Sequence, residues 1–361
     1  MTRATRIVKR GVRPHYRGPS AATEGAGVAR RSETATIAEV AEHAGVSPAT
    51  VSRVFNNRFV GDPVVADRVR ASALALAYTP NHHARSLALG RTRAIAFVVP
   101  DLANPAFQAI LSSLSKSAAR DGYRVLVADS VESPDDEPLL VDEVRRRCDA
   151  VVLCAPRMPD AELIVHAAGI RPLVLINRAM PQIDAPSLSV DYQSGVRNLA
   201  EHLHGLGHRH FVYLGGPERS VSNRYRLLGL EEFERAHPGV TIDRIPGGFT
   251  SEDGVAAAER VRDSGATAAL AYNDLVAIGL MNGLLDLGLR VPDDVSVAGF
   301  DDIPFARYTT PTLTTASVPH TELGAEAWQR MHALLDGEEP EADVVFQPRL
   351  ELRGSTAAPR A

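Results

Sequence analysis

Nowhere in the 361 residues do 18 apolar residues run together. A helix needs about that many to cross a bilayer, so no membrane span is expected. Lysine is almost missing. Lys9 and Lys116 are the only two, while arginine is plentiful, which fits a GC-rich coding bias better than a function. Cysteine is just as scarce: Cys148 and Cys154 lie in or beside one apolar run, at a spacing that suits no metal site, and read as inert core thiols. Gly-x-Ser-x-Gly, His-Glu-x-x-His and the phosphate-binding Gly-x4-Gly-Lys-Ser/Thr are absent. Without them the acids Asp293-Asp294 and Asp301-Asp302 have no nucleophile or partner to work with. No enzyme and no cofactor are expected. The first 31 residues have no apolar segment, so they are not a secretory signal and a cytoplasmic protein is expected.

What is present is unevenly charged. The chain carries a net charge of −5, yet residues 1–31 hold eight Lys/Arg against one Glu. A basic front on an acidic body suits a protein whose N-terminal end meets phosphate. Residues 1–33, rich in Arg, Gly, Ala and Ser, read as a disordered arm. Two readings of that arm stand: it adds nonspecific phosphate affinity, or translation starts later, near Val28. The length calls for two or three domains. From Arg93 onward, strand-length apolar runs at 94–99, 124–128, 150–155, 173–176, 211–214, 268–272 and 295–300 alternate with helix-length stretches. In 191–206, for instance, Val196, Leu199, Ala200, Leu203 and Leu206 make one stripe. Such alternation means parallel sheets covered on both faces, and there are too many units for one six-stranded sheet. Two Rossmann-like lobes are expected.

Residues 36–56 carry the most specific signal. Thr36 and Glu39 form a Thr-x-x-Glu capping box, and Ile37, Val40, Ala41 and Ala44 an apolar face. Gly45 suits a sharp turn, Ser47-Pro48 starts a second helix, and Val51 and Val54 continue the buried side. Asp62-Pro63 opens a third helix with Val65, Val69, Ala73 and Leu76 inward. Helix, tight turn, helix, helix is the arrangement that lays its second helix in the major groove. Outward from that helix point Pro48, Ala49, Thr50, Ser52 and Arg53. Arg53 can donate two bonds to guanine, and Thr50 and Ser52 can reach phosphate or base edges.

With these motifs the sequence resembles the lactose-repressor (LacI/GalR) family from about residue 34 to 356. Further along, Val99-Pro-Asp-Leu-Ala-Asn-Pro-Ala-Phe107, Leu214-Gly-Gly-Pro217, Tyr272-Asn-Asp274 and Val295-Ser-Val-Ala-Gly-Phe-Asp-Asp302 continue it. The resemblance implies an α/β protein: an N-terminal three-helix helix-turn-helix headpiece plus a periplasmic-binding-protein-like sensor of two Rossmann-like lobes. It implies a headpiece over 34–79, a hinge helix over 80–92 and a sensor over 93–355. Within the sensor the N-terminal lobe takes 93–205 and 319–346, the C-terminal lobe 206–317 and 347–355, and residues 356–361 are a tail. Crossings between lobes are expected near 205–210, 316–319 and 346–351.

The same resemblance assigns DNA contacts to Ser47, Pro48, Ala49, Thr50, Ser52, Arg53 and Asn56 in the headpiece. In the hinge it assigns them to Asn81, Ala84, Arg85 and Leu87, the last as a minor-groove wedge. Effector contacts fall on Arg226, Asn273, Asp301 and Phe249, with Asn104, Phe107 and Asp191 on the N-terminal lobe. Each also has a plain structural role open to it, such as a cap for Asn273 or Asp301 and core for Phe249. Expected partners are a palindromic DNA operator, a sugar- or nucleoside-like effector and a second copy in a homodimer, with no membrane. His202, His204, His208 and His210 crowd a helix end, where cations suit the dipole and Gly207 suits the cap; no metal is expected. The implied function is a transcription repressor of a carbohydrate operon. Its rivals are a sensor that docks a protein coregulator and a sugar-binding transport protein.

Overall fold

A computed structural model describes residues 35–55, 58–78, 91–341 and 343–360. The chain divides into two compact units, Met1–Arg85 and Ser86–Ala361. The first contains α1 (Ile37–Ala44), α2 (Pro48–Phe55) and α3 (Pro63–Ala75). Both halves of the capping box form: Glu39 N–H donates to Thr36 Oγ1 at 3.3 Å and Thr36 N–H to Glu39 Oε2 at 2.6 Å. Gly45 takes φ +66° and its N–H closes α1 onto Ala41 and Glu42 carbonyls. This left-handed conformation costs a side-chain-bearing residue energy that glycine avoids. Thr50 N–H donates to Ser47 Oγ, and Val64 N–H to Asp62 Oδ1, so α2 and α3 start on the capping residues read in the sequence.

Val40, Val51 and Val69 are fully buried at the centre of this small unit, with Ala41, Ala44, Val54, Ala66 and Ala73 around them. On α3 the buried face is Ala66, Val69, Ser72 and Ala73; Val65 and Leu76 are only half-buried. The inward stripe is thus rotated toward small residues, because three short helices leave room for alanine and serine at their closest approach.

The second unit contains two six-stranded sheets. One has the order β11-β5-β4-β3-β1-β2, the other β12-β10-β9-β8-β6-β7. The strands of the first are β1 (Ala94–Val99), β2 (Arg124–Asp129), β3 (Ala150–Cys154), β4 (Leu173–Ile176), β5 (Ser187–Val190) and β11 (Val344–Phe346). Those of the second are β6 (His210–Gly215), β7 (Thr241–Pro246), β8 (Ala268–Ala271), β9 (Ser296–Asp301), β10 (Thr314–Ser317) and β12 (Arg349–Glu351). All pairings are parallel except β10 with β12. Helices α4 (Pro105–Arg120), α5 (Glu137–Arg145), α6 (Asp160–Gly169) and α11 (His320–Asp336) cover the first sheet. Helices α7 (Tyr192–Gly205), α8 (Val221–Ala236), α9 (Ser251–Ser264) and α10 (Asp274–Asp286) cover the second. Cys148 and Cys154 are free and buried; burial pushes the Cys148 thiol up to about 11 and raises that of Cys154 as well.

The expected end of the first lobe at residue 205 is one helix too late. The chain leaves the first sheet after β5, and α7 already packs on the second, against α8, β8, β10 and β12. The Tyr192 ring lies 5.5 Å from Phe300. At Gly195 an added Cβ would come within 2.7 Å of Phe300 Cζ. The apolar stripe of α7 announces a buried face without saying which sheet it covers. The other two crossings run between β10 and α11 and between β11 and β12.

Candidate functional site

In the first unit, α2 turns Pro48, Ala49 and Arg53 outward, and all three are exposed together with Ser47. Thr50 and Ser52 are half-buried, Thr50 Oγ1 lying 3.0 Å from Ser47 Oγ at the cap. Its helical spacing puts Ala49 and Arg53 one turn apart on the face opposite Val51 and Val54, which are buried. Asn56, Asn81, Ala84, Arg85 and Leu87 lie outside the described residues, as do the arm and most of the hinge.

In the second unit a narrow cavity is lined from loops and helix starts at the carboxyl ends of strands from both sheets, where open α/β folds bind ligands. Six of the seven expected effector residues line it: Asn104, Phe107, Arg226, Phe249, Asn273 and Asp301. Asp191 does not. Its carboxylate accepts the Ser194 N–H at 2.9 Å to start α7, and the next residue, Tyr192, occupies the cavity wall instead. Asn104 and Asn273 cap the helices that follow them while lining the cavity. Asn104 Oδ1 accepts from Ala106 N–H and Asn273 Oδ1 from Val276 N–H. Asn273 Nδ2 meanwhile donates to the Phe249 carbonyl and so fixes the loop that carries that aromatic ring.

Arg226 is the centre of the site. It is 2 % exposed, and its guanidinium carbon sits 4.0 Å from the Phe300 ring centroid, 4.4 Å from Tyr192 and 4.8 Å from Tyr272. Aromatic faces stabilise a cation but accept no strong N–H bond. Its Nε and Nη1 are accordingly buried without a hydrogen-bond partner, donors held ready for an oxygen that enters the cavity.

Asp301, at the end of β9 with φ +114°, is an acid of the same cavity wall that feels the charge of Arg226. Burial drives its carboxyl from 3.8 up to about 7 against the pull of Arg226. Asp274 behind it is fully buried and raised well above the usual range, by burial first and then by Asp301. Its oxygens accept from Thr315 Oγ1 at 2.6 Å and Ile303 N–H at 2.9 Å. His320 lines the same cavity with both ring nitrogens unpartnered, and burial lowers it to about 4, so it is neutral.

Sequence reasoning missed Asp101, Glu132, Arg157, Tyr272 and His320 in the wall. Arg157 is held by Glu132 through two bonds of 2.5 and 2.7 Å. Position after a strand was the available signal, and for Asp101 and Tyr272 the quoted motifs already contained them. The four-histidine run disperses: His202 meets Thr356 Oγ1, His208 meets Thr267 and the Ala357 carbonyl, and His210 pairs with Asp243. Gly207, at φ +106°, follows the last turn of α7.

Comparison with known proteins agrees with both units. The signature described as "Bacterial regulatory proteins, lacI family" matches residues 36–81, and that of a periplasmic binding protein-like domain matches 200–356. The chain is 30% identical to the HTH-type transcriptional repressor CytR of Escherichia coli K12 over 338 residues, 91% of this chain and 99% of that one. It is 34% identical to the regulator GalR of the same organism over 332 residues, 90% of this chain and 96% of that one. Among solved structures, the lac repressor dimer bound to operator and the anti-inducer ONPF superposes with a TM-score of 0.80 at 28% identity, covering 90% of this chain and all of that one. The regulator CelR in complex with cellobiose gives 0.65 at 26% identity, over 89% of this chain and 99% of that one.

Proposed function

The chain belongs to the LacI family of bacterial regulatory proteins and is a DNA-binding transcription regulator, not an enzyme; from that premise we propose that it represses a carbohydrate-uptake or catabolism operon under control of a small sugar- or nucleoside-like effector. The observation that carries the reading is Arg226. A buried guanidinium with two idle donors, set among Tyr192, Tyr272 and Phe300 and opposite Asp301, suits a polyol. Hydroxyl oxygens accept from Arg226, hydroxyl hydrogens donate to Asp301, and the C–H face of the ring rests on Phe107 or Phe249. The naming of CytR as a transcriptional repressor and the cellobiose complex of CelR support the same reading.

In the headpiece, Pro48, Ala49 and Arg53 read base edges of a half-site while Ser47, Thr50 and Ser52 hold the backbone. Two copies read a palindrome. An apolar edge supports the homodimer: β2 is the outer strand of its sheet, and Leu126, Val127, Val131 and Leu139 on and beside it are exposed. Effector binding alters the angle between lobes and thereby operator affinity; a coupling of about 1–3 kcal/mol is enough for useful control.

The test starts with a thermal-shift screen of sugars and nucleosides, followed by titration of the selected operator and of random DNA with and without the hit. Preference for the operator, changed at least severalfold by the hit, is the expected result. Equal affinity for both DNAs, or an operator affinity untouched by every stabilising compound, overturns the proposal.

A further inference from the structure

The far ends of α7 and α8 bring together three ligand-bearing side chains that the cleft does not use. Glu201 and His204 stand three residues apart on α7, hence one above the other on the same face. His237 caps the C-terminus of the neighbouring α8. One candidate ligand atom from each lies within 4.8 Å of the other two. His237 is also oriented for the task. Its Nδ1–H donates to the Phe233 carbonyl at 3.0 Å, so Nε2, which faces Glu201 Oε2 at 3.3 Å, is the nitrogen that a metal ion can take by displacing the proton between them. A backbone carbonyl on the rear nitrogen is the usual way a protein aims a metal-binding imidazole. The His204 and His237 rings lie 4.4 Å apart between centroids. The Phe233 ring, 4.4 Å from His237 and 5.9 Å from His204, forms an apolar floor beneath them.

We propose that Glu201, His204 and His237 form a binding site for a first-row divalent metal ion of the zinc type, with solvent completing the coordination. Two imidazoles and one carboxylate are the donor set of zinc, nickel and copper rather than of magnesium or calcium. Bonds of about 2.0–2.2 Å to a tetrahedral ion put ligand atoms roughly 3.4 Å apart, so closure requires about 1 Å of movement by partly exposed side chains at two helix ends. Of the histidines crowded at 202–210 only His204 takes part, because the other three are tied to Thr356, Thr267, Ala357 and Asp243. The second histidine comes from 33 positions further on, out of reach of any spacing rule. Bound metal braces α7 to α8 at the ends opposite Tyr192 and Arg226, the pair that meets in the cleft.

The experiment is titration of the full-length protein with Co²⁺, read by visible d–d absorption, with Zn²⁺ displacing it and melting temperature followed in parallel. The wild type is expected to bind one Co²⁺ per chain at this site, and Zn²⁺ to raise its melting temperature. Glu201→Gln, His204→Ala and His237→Ala each weaken binding at least tenfold and abolish the melting shift, whereas His202→Ala retains both. Glu201 is exposed, so its variant folds whatever happens to the histidine variants. His15, His82 and His83 are present in every protein tested, so binding elsewhere cancels in the comparison. Equal Co²⁺ binding by wild type, Glu201→Gln and the His204→Ala/His237→Ala double variant overturns the site.

Discussion

Replacing Asp301 by asparagine removes a charge while keeping a side chain of the same shape, and asparagine tolerates a positive φ as aspartate does. The carboxyl is 8 % exposed, and burial drives it from 3.8 to about 7, a value that already contains the opposing pull of Arg226. It faces Arg226 from α8, Asp274 from α10, its neighbour Asp302 and the neutral His320 at the start of α11. Unfolded, it titrates near pH 4. Between about pH 4 and pH 7 the folded chain therefore holds a proton that the unfolded chain has released, and stability from this group falls as pH rises through that window, then levels off. At about 1.4 kcal/mol per pH unit the loss amounts to about 4 kcal/mol. Asparagine does not titrate. The variant is thus expected to match the wild type near pH 4, to exceed it by about 2 kcal/mol near pH 5.5, and by about 4 kcal/mol at pH 8. Urea unfolding followed by circular dichroism, both proteins at each pH and at one ionic strength, measures the difference curve. A difference that does not change with pH, or a variant less stable at pH 8, refutes the reasoning.

Arg226→Met is expected to weaken binding of the screened effector at least tenfold, since each bond from a charged donor contributes about 1.5–3 kcal/mol. Below pH 7, where Asp301 keeps its proton, the ligand-free protein should lose little stability, because the guanidinium is buried with two donors unmet; calorimetric titration and melting together check both halves. Arg53→Ala is expected to lower discrimination between operator and random DNA by about 1–3 kcal/mol with an unchanged melting temperature, and full retention of discrimination contradicts the DNA-reading role. Gly279→Ala places a Cβ 1.9 Å from the Ser251 carbonyl oxygen, where α9 and α10 touch. A loss of about 3 kcal/mol in urea unfolding is expected, and a change under 0.5 kcal/mol would mean the two helices separate freely.

The parts of this protein that rest on short-range chemistry were legible one residue at a time. The Thr36–Glu39 box, the left-handed Gly45, the Ser47 and Asp62 caps and the outward Arg53 each depend on neighbours within four positions, and the structure forms the caps and turn and leaves Arg53 exposed. Strands with continuous apolar runs were equally plain. Those without one were not: β5 (Ser-Leu-Ser-Val), β10 (Thr-Thr-Ala-Ser) and the outer strand β7 alternate or mix polar residues. The strands β11 and β12 are three residues long. Six effector positions carried over from the family resemblance line the cavity: Asn104, Phe249, Asn273 and Asp301 lie at or just after a strand end, and Phe107 and Arg226 on the helix that follows one.

Tertiary structure decided what depends on which surface meets which. A stripe on α7 does not name its sheet, so the first crossing moved from residues 205–210 to Asp191, and Asp191 became a cap while Tyr192 faced the cavity. Nor does sequence order place Tyr192, Tyr272 and Phe300 around one guanidinium, or His237 beside Glu201 and His204. Local hydrogen bonds and hydrophobic period are properties of a few adjacent residues and can be read directly. The pairing of faces, and the dielectric that shifts Asp301, arise only when distant segments exclude water together.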